Sequence, residues 1–125
     1  MSRTVFPLLQ YRDPRAAIDF LQRAFGFEAT AVDEGPDGRI GHAELRVGDG
    51  MVMLAGSDPD GPFGDHAGQG WCYVAVADAD AHHDRAVAAG AEVVASLTDT
   101  EYGSRDYSAR DAEGNLWSFG TYNPA

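Results

Sequence analysis

The order of apolar and polar positions predicts a short set of elements. Residues 4–11 alternate loosely and read as a strand. Asp13-Pro14 follows, an aspartate suited to capping a helix and a proline suited to its first turn. Ala17, Phe20, Leu21, Ala24 and Phe25 then recur at the spacing of one helical face, and Gly26 marks the stop. Strands are predicted at about 27–33, 40–47 and 51–55, with turns at Gly35-Pro36-Asp37-Gly38 and Gly48-Asp49-Gly50. Gly61, Gly64, Gly68 and Gly70, with Pro59 and Pro62, make 57–70 a linker.

After the linker the pattern restarts. A strand over 71–77 leads to Asp78, a helix over about 79–89, Gly90, and strands at about 91–96, 104–110 and 115–121. Asp13 and Asp78 are 65 residues apart; Gly26 and Gly90, and Gly50 and Gly114, are each 64 apart. A repeat this regular implies one unit written twice. The chain therefore predicts an α+β fold of two βαβββ modules, about 4–56 and 70–122, within a single domain covering 1–125. Neither module can bury both faces of its sheet alone. Helices on the outer faces, with sheets curving around a shared cleft, would solve that problem.

Composition narrows the partners. Twenty acidic and nine basic residues give a net charge of −11. Such a surface repels phosphate backbones, so nucleic acid is not an expected partner, whereas small cations are attracted. All nine basic residues are arginines, which excludes lysine Schiff-base chemistry and a P-loop. The lone Cys72, in the apolar run Trp71-Cys72-Tyr73-Val74, reads as a small buried hydrophobe. No apolar run approaches the ~20 residues of a membrane span, and no apolar signal region follows Met1, so a cytoplasmic location is expected.

The order of motifs resembles a known family. Tyr11-Arg12-Asp13-Pro14, Ala17-Ile18-Asp19-Phe20-Leu21 and Phe25-Gly26-Phe27-Glu28 look like the first module of the glyoxalase/bleomycin-resistance proteins of the vicinal oxygen chelate superfamily. Gly41-His42-Ala43-Glu44-Leu45 and Met51-Val52-Met53-Leu54 are similar to its PhnB-like branch. Val76-Ala77-Asp78, Arg85-Ala86-Val87-Ala88-Ala89-Gly90 and Arg110-Asp111-Ala112-Glu113-Gly114-Asn115-Leu116-Trp117 carry the likeness through the second module. Ala112 stands where the family usually has proline.

The resemblance implies where a metal would sit. The family's metalloenzymes take His or Glu ligands from the first and last strands of each module. Counting seven residues before each strand-ending aspartate gives Phe6 and Trp71, and counting four past each turn glycine gives Leu54 and Ser118. None is a usual donor, so no metal and no cofactor is expected. Alternation then adds Leu8, Gln10, Val52, Tyr73 and Leu116 to the cleft. Aligning the third strands sets His42 against Arg105 and Glu44 against Tyr107. The expected ligand-binding set is Phe6, Gln10, His42, Glu44, Leu54, Trp71, Tyr73, Arg105, Tyr107 and Ser118, apolar walls with sparse polar anchors.

His42 and Glu44 share a strand face and are the candidate catalytic pair; the alternative is a cross-strand cluster with Arg46 or Arg105. His82 is expected to face the core and His83 the solvent, with His66 in the linker. Asp58-Pro59-Asp60-Gly61 starts like a calcium loop but lacks its downstream glutamate. The leading expectation is a metal-free binder of a small aromatic or cationic molecule, similar to the family's drug-sequestering resistance proteins, and a homodimer. The competing one is a lyase, isomerase or dioxygenase, with or without metal, that uses His42 and Glu44.

Overall fold

A computed structural model describes residues 4–124. The first module runs β1 (Leu8–Tyr11), α1 (Pro14–Phe25), β2 (Glu28–Glu34), β3 (Ile40–Val47) and β4 (Gly50–Gly56). The second runs β5 (Trp71–Ala75), α2 (Ala79–Ala88), β6 (Glu92–Asp99), β7 (Arg105–Arg110) and β8 (Leu116–Gly120). Each forms a four-stranded mixed sheet, ordered β1-β4-β3-β2 and β5-β8-β7-β6, in which the first strand lies parallel to the last. The two-module α+β architecture is as the repeat predicts. The first strand is shorter than expected because Pro7 has no N–H to give, although its carbonyl still accepts from Met53 N at 2.9 Å.

Both helices begin as the sequence dictates. Asp13 caps α1 by accepting from Ala16 N at 3.1 Å, and Asp78 caps α2 by accepting from Ala81 N at 3.0 Å. Helix α1 ends at Gly26, whose φ of 77° is the left-handed conformation that favours glycine. Its stripe Ala17, Ile18, Phe20, Leu21, Ala24 and Phe25 is buried. Each large side chain so buried contributes about 1.5–3 kcal/mol.

Helix α2 buries only small apolar residues, Ala79 and Ala86. Polar contacts to α1 supplement it. The Arg85 guanidinium donates to the carbonyls of Gln22 and Arg23, each at 3.0 Å. Those carbonyls lie in the last turn of α1, where cations are favoured. His82 Nε2 donates to the Phe25 carbonyl at 3.0 Å, and its Nδ1 accepts from the Tyr107 hydroxyl at 2.5 Å. The helix sides of both sheets thus share one core: Phe25 packs on Phe119 with ring centroids 4.7 Å apart, and Phe27 on Trp117 at 5.1 Å.

A second joint lies at the β7–β8 turn. The buried Asp111 carboxylate accepts from the Tyr11 hydroxyl at 2.5 Å and from Trp117 Nε1 at 3.0 Å. It also accepts from the backbone N–H groups of Glu113 and Asn115. The Glu113 carboxylate takes the N–H groups of Arg12 and Asp13 at 2.6 and 2.8 Å. Burial, then the Asp111 charge, push the Tyr11 phenol well above its usual range and keep it a donor.

Candidate functional site

With one face of each sheet committed to the core, chemistry is left to the other. On β1 and β4, Leu9, Tyr11, Val52 and Leu54 point to the core, while Leu8, Gln10, Met53 and Ala55 keep exposure. On β5 and β8, Trp117 and Phe119 are buried, while Trp71, Tyr73, Leu116 and Ser118 are at least partly open. Phe6 is half-buried ahead of β1 and makes no ring contact with Trp71, so the close pairing of these two is not found.

Four residues expected on the free face lie elsewhere. Leu54 is fully buried in the core, and Val52 with it. Tyr107 is buried against His82 and Phe119. Arg105 turns to the helix side, where it holds Asp80 at 3.0 Å and Asp99 at 3.2 Å. The cause is a one-residue slip. Gly50 is the first residue of β4, paired with Val47 across a tight turn. Gly114 sits inside a longer turn, at φ 95°, two residues before β8 starts. Treating the two glycines as equivalent moves the count by one and flips the face. Met53 stands opposite Leu8 and Glu44, as Ser118 stands opposite Tyr73 and Ser108. Correspondingly, His42 matches Asp106 and Glu44 matches Ser108, not Arg105 and Tyr107.

The corrected positions for the family's metal ligands hold Phe6, Met53, Trp71 and Ser118. Two have no donor atom for a divalent ion, one offers a soft thioether and one a neutral hydroxyl, so the set does not fit a zinc, nickel or iron centre. Among the described residues, no three His, Cys, Asp or Glu side chains are grouped as a metal site.

The remaining polar residues have definite partners. His42 Nε2 and Glu44 Oε2 are 3.3 Å apart and half-exposed on β3. Neither arginine considered for them takes part, because Arg46 pairs with Glu28 and Arg105 with Asp80 and Asp99. Gln10 also serves the linker: its Oε1 accepts from His66 N at 2.7 Å. Arg12 and Ser57 hold Asp65 from the other side, each at 2.8 Å. The Arg12 guanidinium, followed by the N–H of Ala67 and the Ser57 hydroxyl, lowers the Asp65 carboxyl to about 2.

Two of the concavities among the described residues lie beside the open side chains of the free faces. The first, about 630 Å³, lies between β1, β4 and the linker and is lined by Leu8, Gln10, Ala55, Phe63, His66 and Gln69 among others. The second, about 460 Å³, lies on the second module and is lined by Trp71, Tyr73, Tyr102, Asp106, Ser118 and Tyr122. Trp71 is 72% exposed, Phe63 78% and Leu8 57%. Sequence reasoning missed Phe63, Tyr102, Asp106 and Tyr122. Asp106 fell to the slip in β7. The others lie outside strands, where alternation gives no facing.

These features sit in a fold with known relatives. The chain matches the Glyoxalase/Bleomycin resistance protein/Dioxygenase superfamily over residues 3–119 and belongs to it. It is similar to TioX from Micromonospora sp. ML1, with 35% identity, 98% of each chain covered and a TM-score of 0.80. It also shares its fold with a bleomycin resistance determinant encoded on the transposon Tn5, at 19% identity, 98% and 99% coverage and a TM-score of 0.72. An uncharacterized protein of Mycobacterium tuberculosis (strain H37Rv) is 35% identical in an alignment of 121 positions that covers 91% of this chain and 71% of that protein.

Proposed function

We propose that this protein binds a small organic molecule on the free faces of its sheets, without the family's divalent metal, and that it acts by sequestration in the cytoplasm. The observation that carries this reading is the exposure of Trp71, Phe63 and Leu8 beside two concavities. Large apolar side chains concentrated in a concave face are the usual lining of a ligand site. The donor-poor set Phe6, Met53, Trp71 and Ser118 supports the metal-free part. Membership of a superfamily described by bleomycin resistance proteins agrees with a binding role, and the motifs at 41–45 and 51–54 favour the PhnB-like branch.

Titration with a panel of planar aromatic compounds tests the reading through the emission of exposed Trp71, since Trp117 is buried in the core. Saturable quenching by a panel member is expected. No quenching across the panel contradicts it.

A second copy would complete the site. We propose a homodimer in which the free faces of two chains contribute to one cleft, because each face alone leaves its aromatic residues half open. Light scattering at micromolar concentration should give about twice 13.3 kDa. A mass of a single chain would contradict the dimer.

The His42–Glu44 contact at 3.3 Å favours one further reading, a lyase, isomerase or dioxygenase in which this pair moves a proton or holds an ion. Elemental analysis of protein purified without added metal separates the metal-dependent version, which requires a stoichiometric ion.

A further inference from the structure

The concavity on the second module has a composition that restricts its ligand. Four aromatic rings, from Trp71 and Tyr73 on β5, Tyr102 in the β6–β7 turn and Tyr122 after β8, surround one carboxylate, Asp106, and one hydroxyl, Ser118. No basic side chain lines it. Arg105, next to Asp106 in the chain, faces the opposite side of the sheet and is held by Asp80 and Asp99. Among these lining residues the net charge is therefore negative.

The polar ends of three of the rings, Trp71, Tyr73 and Tyr102, are engaged with the protein. Trp71 Nε1 donates to Ser118 Oγ at 3.0 Å, and the Tyr73 hydroxyl donates to the Tyr122 carbonyl at 2.6 Å. The rings of Tyr102 and Tyr122 meet edge to face, with centroids 5.8 Å apart. Ser104 Oγ donates to one oxygen of Asp106 at 2.6 Å, and the Tyr102 hydroxyl lies 3.4 Å from the other. The rings themselves remain accessible. Beneath them, Gly120 forms the floor. A Cβ there would lie 2.7 Å from the Tyr73 hydroxyl and 3.1 Å from the Asp106 carboxyl carbon. The absence of that atom lets ring and carboxylate close over the strand.

Aromatic faces carry negative electrostatic potential, and several around one carboxylate attract a positive group. An alkylated ammonium suits such a site best. It spreads its charge over methyl groups, asks for no hydrogen-bond partners and loses less hydration than a primary amine. Anionic ligands are repelled both by Asp106 and by the chain's charge of −11.

We propose that this face is an aromatic cage for a small, freely diffusing organic cation bearing an alkylated ammonium group, with Asp106 as its counter-charge. The proposal rests on the small-molecule-binding reading above and narrows the ligand class of the second-module face.

The test compares choline and tetramethylammonium with the neutral isostere of choline, 3,3-dimethylbutan-1-ol, by calorimetry and Trp71 fluorescence on the full chain. Both cations should bind, and the neutral alcohol about tenfold more weakly or not at all. Asp106→Asn should weaken choline about tenfold and leave the alcohol unchanged. Tyr102→Ala, in an exposed turn, should weaken the cations with an unaltered melting curve. Equal binding of choline and the alcohol overturns the cation assignment, as does Asp106→Asn without effect. Binding to phosphatidylcholine vesicles but not to free choline also overturns it. If the cations fail while planar aromatics still quench Trp71, the cage falls and the small-molecule reading stands. If every probe fails, both fall.

Discussion

Asp111 joins the two modules through a buried carboxylate. It receives the Tyr11 hydroxyl from the first module, and Trp117 Nε1 and two backbone N–H groups from the second, all in a buried setting. Asp111→Ala leaves those donors without a partner, and each buried donor so stranded costs about 1–3 kcal/mol. Urea denaturation should show a loss of at least about 3 kcal/mol; a loss within ~0.5 kcal/mol would contradict the joint. The motif around Asp111 was legible as part of a family turn, but its partner Tyr11, a hundred positions away, was not. Only tertiary structure brings them together.

His82 gives a pH dependence at the same scale. Burial, opposed by its bond to the Phe25 carbonyl and helped by the nearby Arg85 charge, lowers its pKa below 6.5. The ionisable groups around it are Arg85 on its own helix and, beside Tyr107, His83; Tyr107, Phe25 and Phe119 complete the surroundings. The unfolded chain takes a proton at this position before the folded one does. The stability His82 contributes is therefore full above about pH 6.5 and is lost as pH falls toward the lowered value. A thermal-melt series from pH 8 to 5 should show this decline, and His82→Gln should reduce it. An identical slope in the variant would contradict the assignment. The core-facing direction of His82 was readable from helical spacing, whereas its role as a link to α1 was not.

At the scale of elements, local chemistry predicted ends and types well. Asp13, Pro14 and Gly26 mark α1, and Asp78 and Gly90 mark α2, because caps and left-handed turns depend on neighbouring residues alone. Gly26→Ala tests that link and the helix pairing together. An alanine must adopt a φ of 77°, and its Cβ would meet the Arg85 guanidinium at 3.0 Å. The expected cost is about 1–2 kcal/mol in chemical denaturation. No measurable cost would show that the end of α1 is free to rearrange.

Facing within a strand proved less secure than its existence. Every residue of β7 and β8 was correctly seen as extended, yet Leu54 was given the wrong face by one misaligned glycine, and Arg105 and Tyr107 by a third-strand alignment one residue off. Strand alternation has a period of two, so an error of one residue is the largest possible error of facing. The two hairpins differ in loop geometry, and glycine content alone cannot reveal that difference.

At the scale of the molecule, the repeat made the two-module fold legible, because each landmark recurs at almost the same offset. The candidate site was legible only in part. Trp71 and Ser118 were found by carrying over the family's metal-ligand positions, and Tyr73 by alternation from them. Tyr102, Tyr122 and Phe63 enter from turns, the linker and the segment after β8, which no periodicity describes. The charge of −11 and the aromatic concavities belong to the same picture, a surface that attracts cationic molecules and offers them rings.

The central claim is that the exposed aromatic face, rather than a metal centre, holds the ligand. Trp71→Ala tests it most directly. Trp71 is largely exposed and its side-chain hydrogen bond is to Ser118 alone, so its removal should leave the melting temperature nearly unchanged. With any planar aromatic or alkylammonium compound that the wild type binds, affinity should fall by on the order of 2 kcal/mol, about 30-fold. Thermal melts and ligand titrations on the same preparation read both quantities. A folded Trp71→Ala protein that binds the compound as tightly as the wild type would contradict the account.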